Sequence, residues 1–464
     1  MTETTEKTAQ TVQTVGRLER DWTRGSIPRN LLSLAWPMVI NESLWVVGTT
    51  VDMIWVGKLG SASIAGVGVG GLVVMLGMAL RFGLTAGARA MIARFIGAGD
   101  YGGANRVAQQ AFVVSGAYAV IVAVIGVAFA EPILSLVGVE EDVVREGAAY
   151  IRIQFMGSAA MSFWVIGEVM MYASADSVTP MKITAFARAV HMTLDPFLIF
   201  GWWIFPRLGV SGAAVANLVF YCVGLSLAAW VLFTGRTRLR LSLRGFRIDP
   251  GIIWRIIKIG VPASVMGTAR ILGRFVLMWV MVPFGTVAVA CHTVAQRLEM
   301  VFYMPAVALG IAAGVLVGQN LGARQPERSE KSAWLAAGLV ELIMMVATVA
   351  VLVWAEPIVR LFNSEPEMVA VGSRFIRIEA TGYLFLGMVA VMQQSLSGAG
   401  DTLPPMVVSL VMIWVLQVPL AYLLPDATGL GVYAVRWAIV TGTFVGAAAY
   451  VIYFRRGRWK RKRI

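Results

Sequence analysis

Twelve apolar stretches, each long enough to cross a lipid bilayer, follow one another along the 464-residue chain. A helix needs about 20 mostly apolar residues to span the hydrocarbon core. Charged residues make up only 14% of the chain, against about 25% in soluble proteins, so they are too few to cover soluble domains. The stretches lie near residues 32–56, 62–88, 106–130, 148–173, 181–204, 209–233, 253–282, 287–317, 332–355, 373–397, 403–424 and 430–453. We therefore predict an all-α polytopic membrane protein with twelve transmembrane helices.

The second half of the chain repeats the first. One constant offset in numbering aligns Pro37 with Pro262 and Asp176 with Asp401 without a gap. Each repeat contains an even number of stretches, so both repeats enter the membrane in the same direction, and we expect two six-helix bundles related by a pseudo-twofold axis along the membrane normal. The expected parts are a cytoplasmic N-terminal segment (1–30), an N-lobe with helices 1–6 (31–233), a cytoplasmic linker (234–252), a C-lobe with helices 7–12 (253–453) and a basic cytoplasmic tail (454–464).

The basic residues predict the orientation of the chain. Its net charge is +13, and lysine and arginine collect before the first stretch, in residues 236–258 and in residues 455–463. Because cytoplasmic loops are enriched in these residues, we expect a multi-pass plasma-membrane protein with both termini in the cytoplasm. These clusters carry Trp254 and Trp459, whereas a nucleic-acid groove needs several aromatic side chains in a row. The expected partner of the basic residues is the lipid bilayer, and we expect no nucleic acid.

The sequence carries no motif for ATP-driven or metal-dependent chemistry. It contains no Gly-x-x-x-x-Gly-Lys-Ser/Thr phosphate-binding loop. His191, His292, Cys222 and Cys291 are the only histidines and cysteines, and their spacing fits no zinc site. A membrane-embedded transferase would need a nucleophile beside a histidine base, which the sequence does not show. We therefore expect a protein that is not an enzyme and has no organic cofactor.

Polar residues form a stripe on the first predicted helix. An ionisable side chain at helix-centre depth costs about 2.5–3.5 kcal/mol on insertion scales, so such groups face the bundle interior or a wet cavity. Asn41, Trp45, Gly48 and Asp52 are spaced i, i+4, i+7 and i+11, which places them on one helical face. Asp52 is therefore expected to face inward.

The fifth predicted helix has a stripe with the same spacing, formed by Thr184, Arg188, His191 and Asp195. Two carboxylates in one partly dry pocket cannot easily both stay ionised, so a proton or a cation such as Na⁺ should neutralise Asp52 and Asp195. Oxygen atoms from Asn41, Thr184 and Asn217 would suit Na⁺, whereas His191 would suit a proton. In the alternative reading, the two acids pair with Arg188 and hold the helices together.

Further polar residues are candidates for lining a cavity. Glu168 and Gln154 are expected on one face of the fourth helix, and Arg270 and Arg274 lie one turn apart in the seventh. The sequence assigns no partner to either pair. The candidate lining residues are Trp45, Gln154, Glu168, Arg188, Arg270 and Arg274.

Four segments of the chain match the sequence pattern of one transporter family: Val51–Gly57, Leu194–Pro196 with Leu208–Ala214, Val317–Ala323 and Ser397–Thr402. On these motifs the chain resembles the multidrug and toxic compound extrusion (MATE) family from about residue 28 to residue 453. The resemblance implies a two-lobed exporter that exchanges Na⁺ or H⁺ for amphipathic, usually cationic compounds by alternating access. It also implies that Asp52 and Asp195 are the coupling acids of the N-lobe.

Two positions depart from the family pattern. Many relatives have an asparagine where this chain has His191, which weakens the prediction of a Na⁺ site and favours a proton. Many bacterial members have a glutamate in the seventh helix where this chain has Arg270, which weakens the prediction of a cation site in the C-lobe. We therefore expect coupling in the N-lobe.

The resulting hypothesis is a monomeric secondary antiporter for a small amphipathic molecule, with an organic cation as the expected substrate. The nearest alternative is a flippase for a lipid-linked oligosaccharide, with intramembrane arginines binding phosphate. A cleft whose walls present those guanidinium groups would favour the flippase, and one dominated by the two aspartates would favour the exporter. The arginines in question are Arg81, Arg89, Arg188, Arg270 and Arg274.

Overall fold

The computed structural model describes residues 21–137, 141–237, 239–242, 245–462 and 464. Residues 1–20 of the expected N-terminal segment lie outside this range. The regular structure of the described residues is helical throughout, as predicted. Within the described part of the chain, ten helices are long and apolar enough to cross a membrane, and two bent helix pairs bring the number to twelve.

The first six spans form the N-lobe, which comprises helices α1–α8. A short helix, α4, follows the third span, and the fourth span consists of two helices, α5 and α6. The helices are α1 (Ile27–Gly57), α2 (Ser61–Gly97), α3 (Tyr101–Ala128), α4 (Ala130–Val137), α5 (Glu141–Met156), α6 (Ser158–Ala173), α7 (Val178–Phe200) and α8 (Val210–Thr234).

The C-lobe, helices α9–α16, repeats this order. Its eleventh span is interrupted by a π-helical segment, Val411–Gln417, just before Pro419, which has no N–H to donate to an α-helical hydrogen bond. The helices are α9 (Pro250–Met281), α10 (Thr286–Gly322), α11 (Pro326–Arg360), α12 (Pro366–Ala380), α13 (Tyr383–Gly398), α14 (Leu403–Leu410), α15 (Val418–Thr428) and α16 (Val432–Arg455).

The fourth span of each lobe is bent at the same place in the repeat. The angle is 50° between α5 and α6 and 47° between α12 and α13. The bends lie at Gly157 and Gly382, which the internal repeat aligns with each other. The expectation that Gln154 and Glu168 share one helical face is therefore wrong, because the bend separates them. Gln154 instead donates a hydrogen bond to the hydroxyl of Tyr150 at 2.9 Å.

The two lobes meet closely at the end of the molecule where the C-terminal residues lie. Helix α2 packs against α9 and α10, and glycines allow their backbones to approach. A Cβ atom at Gly97 would overlap the backbone of Gln319, and one at Gly322 would overlap the backbone of Arg94. Arg89 also crosses the interface and donates a hydrogen bond to the side chain of Gln394 at 2.9 Å. The lobes are thus closed against each other at this end.

The C-terminal residues pack against the same end. Trp459 lies in a 3₁₀ turn, Arg458–Arg461, is fully buried, stacks on Phe454 with 4.6 Å between ring centroids, and donates a hydrogen bond to the Phe454 carbonyl at 2.9 Å. Lys460 forms an ion pair with Glu330 at 2.5 Å. The tail is therefore an integral part of the fold.

Removing the Trp459 side chain should destabilise the protein. Truncation of a buried tryptophan to alanine typically costs about 3–5 kcal/mol, so we expect Trp459→Ala to lower the melting temperature of the detergent-solubilised protein by several degrees. The matched control is Trp279→Ala, because Trp279 is 70% exposed to the surroundings of the bundle. Equal melting temperatures for the two variants would contradict a structural role for the tail.

Candidate functional site

Asp52, His191 and Asp195 meet inside the N-lobe. Asp52 lies on α1, and the two other residues lie one turn apart on α7, which packs against α1. His191 Nε2 is 3.3 Å from Asp52 Oδ1 and 3.7 Å from Asp195 Oδ1. One ligand atom from each of the three residues lies within 4.8 Å of the others. The two stripes predicted from the sequence therefore face each other.

Polar atoms in this cluster lack hydrogen-bond partners. Both carboxylate oxygens of Asp195 and Oδ1 of Asp52 are buried without such a partner among the described residues. The hydroxyl of Thr184 is also unpartnered, but Thr184 precedes Asp195 by eleven residues on α7, about 16 Å along the helix, and lies outside the cluster. Asp52 accepts one hydrogen bond, from the side-chain amide of Asn217 at 2.9 Å. A buried, unpaired carboxylate is costly, so the site favours a species that neutralises it. A proton or a cation would meet that need.

Arg188 is on the same helix as His191 and contacts its ring. Its Nη1 atom is 3.3 Å from His191 Nδ1, and its guanidinium group stacks over the ring of Phe220 at 4.0 Å. No ion pair joins Arg188 to an acid within the described part of the chain at the usual 4.0 Å limit. The geometry therefore does not support the alternative in which Arg188 simply pairs with the two aspartates.

The contact with Arg188 determines which nitrogen of His191 carries the proton. An arginine side chain has only N–H donors, so Nδ1 of His191 must accept this hydrogen bond. In a neutral imidazole the other nitrogen, Nε2, then bears the hydrogen, and Nε2 faces Asp52 and Asp195. Nε2 has no hydrogen-bond partner among the described residues, and as an N–H group it has no lone pair to offer a cation held by the two carboxylates. The donor set thus suits a proton better than Na⁺.

Gly48 leaves the room that Arg188 occupies, because a Cβ atom at this position would overlap the guanidinium group. Gly48→Ala should therefore displace the flexible end of Arg188 without disturbing the backbone. A hydrogen bond from a charged donor is worth about 1.5–3 kcal/mol, so we expect the activity that the family resemblance implies, export driven by a pH gradient in reconstituted vesicles, to fall about tenfold or more. Gly71→Ala is the control, since nothing lies within 4 Å of a Cβ atom there. Equal export by the two variants would show that Arg188 has no role in the site.

The structure separates Asn41 from the Asp52 cluster. Asn41 donates a hydrogen bond to Glu168 Oε1 at 2.6 Å, and the hydroxyl of Tyr172 donates to the same oxygen at 3.2 Å. Asn41 and Glu168 thus form a second buried polar group, between α1 and α6. Trp45 lies between the two groups in the chain and packs edge-on against Phe220 at 5.3 Å.

Arg270 and Arg274 lie in the C-lobe, where they line a cavity of about 100 Å³. Sequence reasoning missed two other residues of this cavity, Glu379 and Arg436, which form a buried ion pair at 3.2 Å. The duplication contained a signal for one of them. The repeat aligns Glu379 with Gln154, a candidate lining residue of the N-lobe. In the same way it aligns Arg270 with the candidate Trp45.

A family model described as MatE matches residues 37–197 and again residues 262–423. The chain belongs to the MatE family. The two matches begin at Pro37 and Pro262, in the register of the internal repeat. This assignment confirms the resemblance found in the sequence and identifies a polytopic membrane transporter of a multidrug efflux family. It points to a transporter rather than an enzyme, and to a protein that needs no organic cofactor.

Known MatE relatives cover nearly the whole chain. The probable multidrug resistance protein NorM of Thermotoga maritima is 24% identical over 450 residues, which cover 94% of each protein. The FAD transporter of Shewanella oneidensis is 26% identical over 86% of this chain and 88% of its own. A solved structure described as the outward-facing conformation of a multidrug resistance MATE family transporter has a TM-score of 0.89 and 25% identity, and the match covers 96% of this chain and 98% of that one.

Proposed function

We propose that this MatE protein is a secondary antiporter that exports amphipathic compounds, organic cations among them, in exchange for protons. The observation that carries the choice of proton is the hydrogen bond from Arg188 to His191, which leaves Nε2 of His191, 3.3 Å from Asp52 and 3.7 Å from Asp195, as an N–H group without a lone pair for a cation. We place the protein in the plasma membrane as a monomer with both termini in the cytoplasm, in line with the basic residues near its ends.

The charges of the site support a stoichiometry of one proton per cycle. Arg188 contributes one positive charge, Asp52 and Asp195 contribute two negative charges when ionised, and His191 is neutral in the tautomer described above. The ionised site therefore carries one net negative charge, which a single proton removes. Proton binding and drug binding then compete through this charge, and the competition links the two sites thermodynamically. Helix α1, which contains both Asp52 and Pro37, is the element that we propose to change on protonation.

The experiment separates the two candidate coupling ions. Purified protein is reconstituted in vesicles, and transport of a fluorescent organic cation is measured under a pH gradient without sodium, and under a sodium gradient at equal pH on both sides. We expect transport in the first condition alone. With a monovalent cationic dye, exchange for one proton moves no net charge, so clamping the membrane potential should leave the rate unchanged. Transport driven by sodium at constant pH would overturn the assignment.

The flippase alternative has less support from the arginines on which it relies. Arg81, Arg89 and Arg188 are all at most 9% exposed, and Arg89 is engaged by Gln394 at the lobe interface. Among the five arginines, only Arg270 and Arg274 line the described cavity. These positions therefore do not form the continuous cleft of guanidinium groups that a lipid-linked phosphate substrate would need.

A further inference from the structure

The cavity of the C-lobe is lined by apolar and polar residues together. Its apolar residues include Leu277, Leu386 and Ile413. Its polar residues come mainly from α9 and α10 and include Arg270, Arg274 and Tyr303. Ligand sites for small organic molecules commonly combine such apolar residues with a few convergent polar groups. The chemistry of the ligand therefore depends on the charge that these polar groups leave unbalanced.

Both carboxylates that line the cavity already have arginine partners. Arg274 Nη2 lies 3.2 Å from Glu299 Oε1, and Arg436 Nη1 lies 3.2 Å from Glu379 Oε2. Arg436 and Glu379 are also almost fully buried, so their pair belongs to the packed interior of the lobe. The two pairs together contribute no net charge to the cavity.

Arg270 is the third arginine of the cavity, and its hydrogen-bond partners are neutral. It donates to the hydroxyl of Tyr303 and to Gln393 Oε1 at 2.6 Å. No carboxylate lies within ion-pair distance of it among the residues that the structure describes. Its side chain is only partly buried, and a guanidinium group with two hydrogen bonds still has N–H donors to offer. One positive charge thus faces the cavity without a counterion.

We propose that this cavity binds the carboxylate of an amphipathic organic molecule, with Arg270 as the contacting residue. The single unbalanced charge matches a monoanion, and the planar guanidinium group is suited to the two oxygens of a carboxylate. The apolar residues that line the cavity contact the hydrocarbon part of the same molecule. If the protein is the exporter proposed above, its substrates then include carboxylated compounds as well as cations. The binding of such a molecule does not itself depend on that proposed function.

Equilibrium binding to the purified protein tests the proposal. The probe is 1-pyrenebutyrate, which is compared with its neutral amide and with a pyrenylalkyl phosphate of similar length, and binding is followed by fluorescence anisotropy. We expect the carboxylate to bind at least tenfold more tightly than the amide, because a charge-assisted hydrogen bond is lost in the amide. Equal affinities for carboxylate and amide, or tighter binding of the phosphate, would overturn the assignment.

Two variants at one position test the role of Arg270. Arg270→Gln should weaken pyrenebutyrate binding about tenfold or more and leave binding of the amide within about twofold. Arg270→Lys retains the charge, should recover part of the affinity, and reports on folding if the glutamine variant is unstable. If Arg270→Gln weakens both probes equally, or neither, Arg270 does not recognise the carboxylate.

Binding and export of pyrenebutyrate, measured separately, distinguish this inference from the proposed antiport. If pyrenebutyrate binds as expected but no pH gradient drives its export, the antiport proposal fails and the binding site stands. If cations are exported but the carboxylate neither binds nor is exported, the binding site fails and the antiport stands.

Discussion

Asp195→Asn is expected to reduce proton-driven export to the level of protein-free vesicles. Asparagine has nearly the same shape as aspartate, so it should fit the fully buried position, but it cannot carry the coupled proton. The site would then contain Arg188 and a single ionised aspartate and would carry no net charge, so it would lack the negative charge for which a proton and a cationic substrate compete. We expect a loss of at least about 100-fold, in the range seen when a group essential for proton transfer is removed.

The matched control for this prediction is Asp426→Asn, which changes an exposed aspartate on α15. It should export at the native rate. The melting temperature of the purified Asp195→Asn protein, compared with that of the unmodified protein, shows whether the variant is folded. Native export by a folded Asp195→Asn protein would remove Asp195 from the coupling mechanism. Native export under a sodium gradient alone would show that sodium, and not the proton, is the coupling ion.

Gly97→Leu should prevent the two lobes from closing at the end where Gly97 packs against Gln319. The new side chain would overlap the backbone of Gln319, and a backbone cannot move aside as a side chain can. Overpacking costs about 1–3 kcal/mol, which corresponds to a roughly 5- to 150-fold change in an equilibrium between two conformations. Because alternating access requires both conformations, we expect export to fall about tenfold or more.

Spin labels on opposite lobes measure this closure directly. Tyr101 and Glu327 are exposed and follow Gly97 and Gly322 by a few residues in the two lobes, so cysteines there report on their separation after Cys222 and Cys291 have been replaced. Gly97→Leu should lengthen and broaden the distance distribution. Gly338→Leu is the control, because nothing lies within 4 Å of a Cβ atom at Gly338. Unchanged distances in the Gly97 variant would show that the close contact does not hold the lobes together.

The spans and the duplication could be predicted because both depend on properties that are local in the sequence. Apolar length defines a transmembrane helix, and the repeated glycine and proline positions survive in both halves. The bends at Gly157 and Gly382 could not be seen in the same way, since breaking a helix within an apolar run leaves its hydropathy unchanged. As a result, Gln154 and Glu168 were assigned to a common face that does not exist.

The candidate site was predictable to the extent that one helix determines it. The 3.6-residue period placed Asp52 on one face of α1 and His191 and Asp195 on one face of α7, and the structure brings these faces together. The period gives no information on which neighbouring helix a residue meets. The contact of Asn41 with Glu168, and the ion pair of Glu379 with Arg436, therefore required the packed structure.

The internal repeat places chemically different residues at equivalent positions. Arg270 corresponds to Trp45 and Gln393 corresponds to Glu168, while both lobes keep the same bent fourth span. After a gene duplication, mutations can accumulate in one copy of a shared scaffold while selection preserves the other. In this chain the inward-facing aspartates on α1 and α7 occur in the first copy only. The second copy can therefore adapt to new compounds, while the residues that we propose to couple transport to protons are kept in the first.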